Sequence, residues 1–218
     1  MIHLNASHLL YLLDGAKWTL GLSLLAFLGG SVLGLALALM RVSRLSLLRS
    51  VARGYIQFVQ GTPLLIVLFL SYFGLGVMGF KLVPLVAAGL SLTLYAGAFL
   101  GEIWRGCIEA VPKTQWEGSD CLGLNRFQQY AWVILPQSFK LAIPPTVGFM
   151  VQIVKNTSLA SVIGFVELAR AGQILNNSIF EPFAIFAAVA AMYFALCYPL
   201  SVTSRYLERK TNAGRAGT

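Results

Sequence analysis

The chain has 218 residues, of which 57% are apolar and only 11% charged, and its mean hydropathy is +0.75. An average soluble domain carries about 25% charged residues; here the charges are too few to coat a soluble surface, which excludes a water-soluble globular domain in favour of an integral membrane protein. The net charge of +8 does not mark a nucleic-acid binder, because the basic residues are scattered between apolar runs and form no patch with stacking aromatics.

Ahead of the first apolar run, "SHLLYLLDGAKW" reads either as a short helix on the outer surface, with Trp18 at the interface, or as an unstructured start. Residues 1–17 have neither the positive n-region nor the small-residue cleavage site of a secretory signal, so the first span is expected to be retained. Lys17 and Arg41 bracket 23 uncharged residues, enough to cross a hydrocarbon core of about 30 Å. Arg53 and Lys81 bracket 27, Lys81 and Glu102 bracket 20, and a last run lies between Glu181 and Arg205. The fourth run is shorter. Only 14 residues separate Lys140 from Lys155, so a crossing helix must continue through "KNTSLASVIG" and carry Lys155 in or near the membrane. Pro144 and Pro145 are tolerable in the first turn of that helix and would kink it anywhere later. The expected architecture is an all-α integral membrane protein with five transmembrane helices, at roughly 18–40, 55–79, 82–103, 139–161 and 183–205.

Charge sets the expected orientation. Arg41, Arg44, Arg49 and Arg53 follow the first span; Arg105, Lys113, Arg126 and Lys140 separate the third from the fourth; Arg205, Arg209, Lys210 and Arg215 follow the fifth. With five spans these segments share one side, which collects twelve of the sixteen basic residues. By the positive-inside rule that side is the cytoplasm, placing the N-terminus outside and the C-terminus inside.

The loop between spans three and four, roughly 106–137, is then cytoplasmic and unusually polar. Thr114 and Glu117 have the S/T-x-x-E spacing of a capping box, so a short helix is expected to start at Thr114. Gly123 suits the residue that ends it. Asn125 with Gln128 reads as a second N-cap, and Pro136 is expected to stop the helix that follows. A helix, a glycine turn and a second helix make a stiff cytosolic shape.

The loop resembles the E-A-A-x3-G-x9-I-x-L-P signature of binding-protein-dependent ABC importer permeases. The matching residues are Glu117-Gly118-Ser119, Gly123, Val133, Leu135 and Pro136, with Gly118 and Ser119 replacing the two alanines and Val133 the isoleucine. "QGTPLL", "SLTLYAGAFLGEIWRGCIEAVPKTQWE" and "KNTSLASVIGFVEL" extend the resemblance to polar amino-acid permeases of the histidine, glutamine, glutamate and arginine type, over roughly residues 15–210. Gln60 stands where arginine is expected before Gly-Thr-Pro, and Asn156 where aspartate is common after the lysine. The resemblance implies that residues 1–218 form a single transmembrane permease domain in the bacterial cytoplasmic (inner) membrane. It also implies a second permease subunit, identical or sister, two cytoplasmic ABC ATPase subunits that bind ATP and Mg, and an extracytoplasmic amino-acid-binding protein. The cargo would be a polar amino acid, and this chain would carry no cofactor of its own.

On this reading Glu117, Gly118, Ser119, Gly123, Leu135 and Pro136 couple to the ATPase; the alternative is that Glu117 only caps its helix and Gly123 only ends it. Lys155 is a candidate for the substrate pathway with Asn156, Thr157 and Ser158, since an ionisable group in a span costs about 2.5–3.5 kcal/mol to insert. Snorkelling to the outer interface is its alternative. Glu102 is either a substrate contact or an i,i+3 ion-pair partner of Arg105. Gly61, Thr62 and Pro63 either unwind the second span and expose backbone to substrate, or make a plain proline kink. Tyr95 either contacts substrate or packs. A secondary transporter or channel subunit working without an ATPase is the rival function, but no internal repeat supports it. No phosphate-binding loop G-x-x-x-x-G-K-[ST] is present, so a non-catalytic subunit is expected. His3, His8 and the distant Cys107, Cys121 and Cys197 have no metal-ligand spacing.

Overall fold

The computed structural model describes residues 5–216, and among these every regular element is helical. The helices are α1 (Ala6–Val42), α2 (Ser46–Gly61), α3 (Leu64–Val77), α4 (Pro84–Glu109), α5 (Lys113–Cys121), α6 (Arg126–Ile163), α7 (Leu168–Ile179) and α8 (Pro182–Ala216). Four of them, α1, α4, α6 and α8, are long and apolar enough to cross a membrane; the pair α2–α3 adds a fifth if it counts as one span.

The N-terminal segment forms neither a separate surface helix nor an unstructured start. It is the first part of α1, which begins behind a reciprocal cap: Asn5 Oδ1 accepts from the His8 N–H at 3.2 Å, and His8 Nδ1 accepts from the Asn5 N–H at 3.3 Å. His3 lies outside the described residues.

The expected second span, 55–79, is divided. α2 ends at Gly61, and α3 leaves it at 102°. The cause is local. Proline lacks an N–H and pushes its predecessor out of the helical region, and Thr62 before Pro63 is extended at φ −107°, ψ 131°. The Thr62 hydroxyl closes the end of α2 by donating to the Phe58 carbonyl at 2.7 Å. α2 turns Ala52, Ile56 and Val59 inward against Leu37 and Ala98 while Arg49, Arg53 and Gln57 stay exposed. That i, i+4, i+7 stripe marks an amphipathic helix rather than the first half of a straight span.

α1 packs most extensively on α4. Small residues permit the approach: a Cβ on Gly30 would lie 2.5 Å from the Ala96 Cβ, and one on Gly34 would lie 2.9 Å from the Leu100 Cβ. Between lipid-embedded helices, association depends on such close van der Waals contact, because burial from lipid brings no hydrophobic gain. The central core gathers Leu22, Ala26, Leu68, Leu92, Phe149 and Ile153 from α1, α3, α4 and α6. Leu24, Leu28, Val32 and Leu35 of α1 and Phe183 and Phe194 of α8 face outward, as lipid-facing surfaces require.

α6 corrects the expectation that Pro136 ends a helix. It runs from Arg126 to Ile163, with a π turn at Gln129–Ile134 immediately before the proline. The π turn shifts the hydrogen-bond register, so the missing proline N–H does not break the rod, and the Gln137 side chain donates to the Val133 carbonyl at 2.8 Å. The helix continues past Lys155 as a 3₁₀ turn, Thr157–Ile163, closed by Gly164 at φ +86°.

Candidate functional site

The polar loop is built from the residues upward. α5 starts behind Pro112, not Thr114, and no side chain caps it. Thr114 and Glu117 therefore do not form the expected capping box: proline takes the cap position two residues earlier and leaves Thr114 inside the first turn. Glu117 is exposed, and among the described residues it has no ion pair or side-chain hydrogen bond. At its other end α5 closes as a Schellman motif. The Leu124 N–H donates to Ser119 O at 3.2 Å, the Gly123 N–H to Asp120 O at 3.0 Å, and Gly123 sits at φ +68°. Asn125 then caps α6, accepting from the Gln128 N–H at 3.0 Å while Gln128 Oε1 accepts from the Asn125 N–H at 3.0 Å.

One buried amide ties these pieces together. Gln129, fully buried, places Nε2 within reach of the Trp116 carbonyl at 3.1 Å, the Ser119 hydroxyl at 2.5 Å and the Asp120 carboxylate at 3.1 Å. Its Oε1 accepts from Arg126 at 2.8 Å. Trp116 stands edge-on to Tyr130 with ring centroids 5.2 Å apart. α5 is thus locked onto the start of α6, with Ser119 inside the joint and Gly118 and Gly123 on its surface. Leu122 and Phe127 flank the glycine turn at 77% and 79% exposure, two large apolar side chains at the tip of a polar loop. Leu135 and Pro136 lie further along α6, half-buried and exposed respectively.

The other candidate residues do not share one chamber. Tyr95 packs on Phe99 at 4.5 Å, and Phe99 stacks on Phe149 at 5.5 Å. Glu102 pairs with Arg105, which also pairs with Glu109, and Arg41 Nε approaches Glu102 Oε2 at 3.7 Å. A cavity of ≈ 460 Å³ between α4, α6 and α8 takes only Glu102 from the candidate set, together with Pro144, Pro145, Ser204 and Glu208. Lys155 is exposed; the Asn156 side chain accepts from Gln152 at 3.2 Å, Thr157 is buried, and the Ser158 hydroxyl donates to the Lys155 carbonyl at 2.7 Å. Gly61 to Pro63 sit at the α2–α3 bend.

Residues 30–213 match the family model described as "Binding-protein-dependent transport system inner membrane component". This chain belongs to that family. The permease is 36% identical over 200 residues to the probable amino-acid ABC transporter permease protein YckA of Bacillus subtilis (strain 168), covering 92% of this chain and 88% of that protein. It is 35% identical over 202 residues to the glutamine transport system permease protein GlnP of Escherichia coli (strain K12), covering 91% and 92%. Its fold matches a chain in a crystal structure of an amino acid ABC transporter with histidines, at TM-score 0.90 and 30% identity, over 96% of this chain and 100% of that one.

Two features of the permease escaped the sequence reading. One is Gln129, a polar residue among others in a polar loop. The other is Glu167, fully buried, which caps α7 by accepting from the Ala169 N–H at 2.9 Å and the Arg170 N–H at 2.8 Å. The same carboxylate accepts from Tyr193 of α8 at 2.6 Å and from Thr19 of α1 at 3.4 Å, and Thr19 Oγ1 in turn accepts from the Leu168 N–H at 3.1 Å. A helix starting at an acidic N-cap was available as a signal in "GFVELARAG"; its partners from α1 and α8 were not.

Proposed function

We propose that this chain is the permease subunit of an ATP-driven, binding-protein-dependent importer that carries a polar amino acid across a bacterial cytoplasmic membrane. The observation that carries the reading is the stiff, exposed α5–Gly123–Asn125 unit, clamped from behind by Gln129 and bearing an exposed Glu117 with Leu122 and Phe127 at its tip. Exposed apolar side chains on a wet loop suit a protein partner, and a rigid joint to α6 suits transmission of force into the membrane. The partner would be a pair of ATPase subunits that hold ATP and Mg, this chain itself being non-catalytic. A second permease, identical or sister, and an external binding protein complete the assembly. The amino-acid permeases among its relatives favour this reading over a self-contained secondary transporter.

The charge asymmetry supports five spans, counting α2–α3 as one, with the N-terminus outside and the α5 loop in the cytoplasm. One experiment tests orientation and docking together. In a background with Cys107, Cys121 and Cys197 replaced by serine, Glu117→Cys should react with an impermeant maleimide in inside-out vesicles only, and bound ATPase should protect it. Gly123→Val forces a β-branched side chain into a left-handed conformation, at about 1–2 kcal/mol, and should insert normally while losing ATPase association or coupled uptake. Labelling from outside sinks the orientation. Unprotected labelling together with normal import by Gly123→Val sinks the docking.

Lys155, Asn156, Thr157 and Ser158, with Gly61 to Pro63, Tyr95 and Glu102, remain the candidate pathway. Lys155→Met should keep assembly and basal ATPase activity but lower uptake severalfold. Uptake at the normal rate would leave only snorkelling to account for the charge.

A further inference from the structure

A second cavity, ≈ 530 Å³, lies where the end of α1, the α1–α2 turn and the start of α6 meet, lined by Leu39, Val42, Ser43, Arg44, Arg49, Arg126 and Tyr130. Three guanidinium groups line it and no carboxylate does. None of the three forms an ion pair among the described residues. Two are held in place: Arg49 donates to the Ser43 carbonyl at 2.9 Å and the Arg44 carbonyl at 3.1 Å, and Arg126 donates to Gln129 at 2.8 Å. Each guanidinium has five N–H donors, so donors remain for a ligand. Arg44 and Arg126 approach from different elements, yet the charges of both reach Tyr130; Glu109, the acidic group that also acts on this tyrosine, is engaged by Arg105. Three like charges brought together without a counter-charge call for an anion, and planar guanidinium forks match phosphate oxygens.

The surroundings indicate the source of that anion. Leu39 on the wall is 43% exposed, and Leu45, Leu47 and Val51, close in sequence to the lining residues Arg44 and Arg49, are 63%, 73% and 55% exposed. A soluble phosphate would use none of these. A lipid would use all of them, with its headgroup in the cavity and its chains along these exposed side chains, away from the buried stripe of α2. Basic pockets at the cytoplasmic face, where anionic lipids concentrate, are suited to such headgroups.

We propose that this cavity binds the phosphate headgroup of an anionic phospholipid and thereby joins the α1–α2 turn to the α5 loop through Arg126 and Gln129. The inference rests on the cytoplasmic placement of the loop but not on ATPase docking, and lipid retention is read separately from ATPase retention.

The test is native mass spectrometry of the detergent-solubilised complex, titrated with phosphatidylglycerol, phosphatidylcholine or inorganic phosphate. The wild type should retain phosphatidylglycerol in preference to phosphatidylcholine. Arg44→Gln with Arg126→Gln should weaken phosphatidylglycerol binding about tenfold, while Arg53→Gln, whose side chain lies outside the cavity, should not. Arg44→Lys with Arg126→Lys, which keeps the charge, should restore part of the binding and guards against misfolding as the cause. Equal phosphatidylglycerol retention by wild type and the double Gln variant overturns the proposal. Displacement of the lipid by millimolar phosphate assigns the site to a soluble anion and overturns it too. So does a double Gln variant that loses its ATPase but keeps its lipid, which would make the cavity a protein contact.

Discussion

Glu167→Ala is expected to remove most of the stability of the assembled helices. The carboxylate is fully buried and receives four hydrogen bonds, two from backbone N–H groups of α7, one from Tyr193 of α8 and one from Thr19 of α1. Alanine removes the cap, at about 1 kcal/mol. It also leaves the buried Thr19 hydroxyl and the half-buried Tyr193 hydroxyl short of an acceptor, at about 1–3 kcal/mol for each orphaned group. A total of about 3–7 kcal/mol is a large share of the 5–15 kcal/mol that holds a typical domain together. Glu167→Gln should be much milder: its carbonyl oxygen can keep the two backbone donors, and the Tyr193 hydroxyl can turn to accept from the new amide. Thermal melting of the detergent-solubilised protein, followed by size exclusion, checks both variants. An alanine variant that melts with the wild type would show that the carboxylate does not hold α1, α7 and α8 together.

The second large effect is steric. At Gly30 even a methyl group would sit 2.5 Å from the Ala96 Cβ and 3.1 Å from the Gly97 nitrogen, and both neighbours lie on the rigid α4. α1 and α4 must separate to admit it. Gly30→Ala should therefore destabilise by about 1–3 kcal/mol, and Gly30→Leu should leave little folded protein. Gly21 lies on the same helix with nothing within 4 Å of the position a Cβ would take. Gly21→Ala should be neutral or slightly stabilising, because alanine is the better helix former. Equal melting temperatures for Gly30→Ala and Gly21→Ala would mean that the α1–α4 contact is looser than the structure has it.

The two sets of variants separate two kinds of information. Hydropathy and charge spacing were enough to place the chain in a membrane and to pick out the segments now seen as α1, α4, α6 and α8, because the cost of putting a segment into lipid is a sum over its own residues. The loop's glycine turn and the Asn125–Gln128 cap were equally legible, since each is a contact over three or four residues. Local rules also failed where two of them competed. Pro112 started α5 ahead of the Thr114–Glu117 pattern, a π turn carried α6 through Pro136, and the Thr62–Pro63 pair turned one expected span into two helices at 102°. What no local rule contains is which helix faces which. Glu167 meets Thr19 across 148 positions and Tyr193 across 26, Gln129 reaches back to Trp116, and Arg41 finds Glu102. Arg41 meets Glu102 because α1 and α4 come within a glycine's width of each other, and that approach is a property of two packed surfaces, which neither segment carries alone.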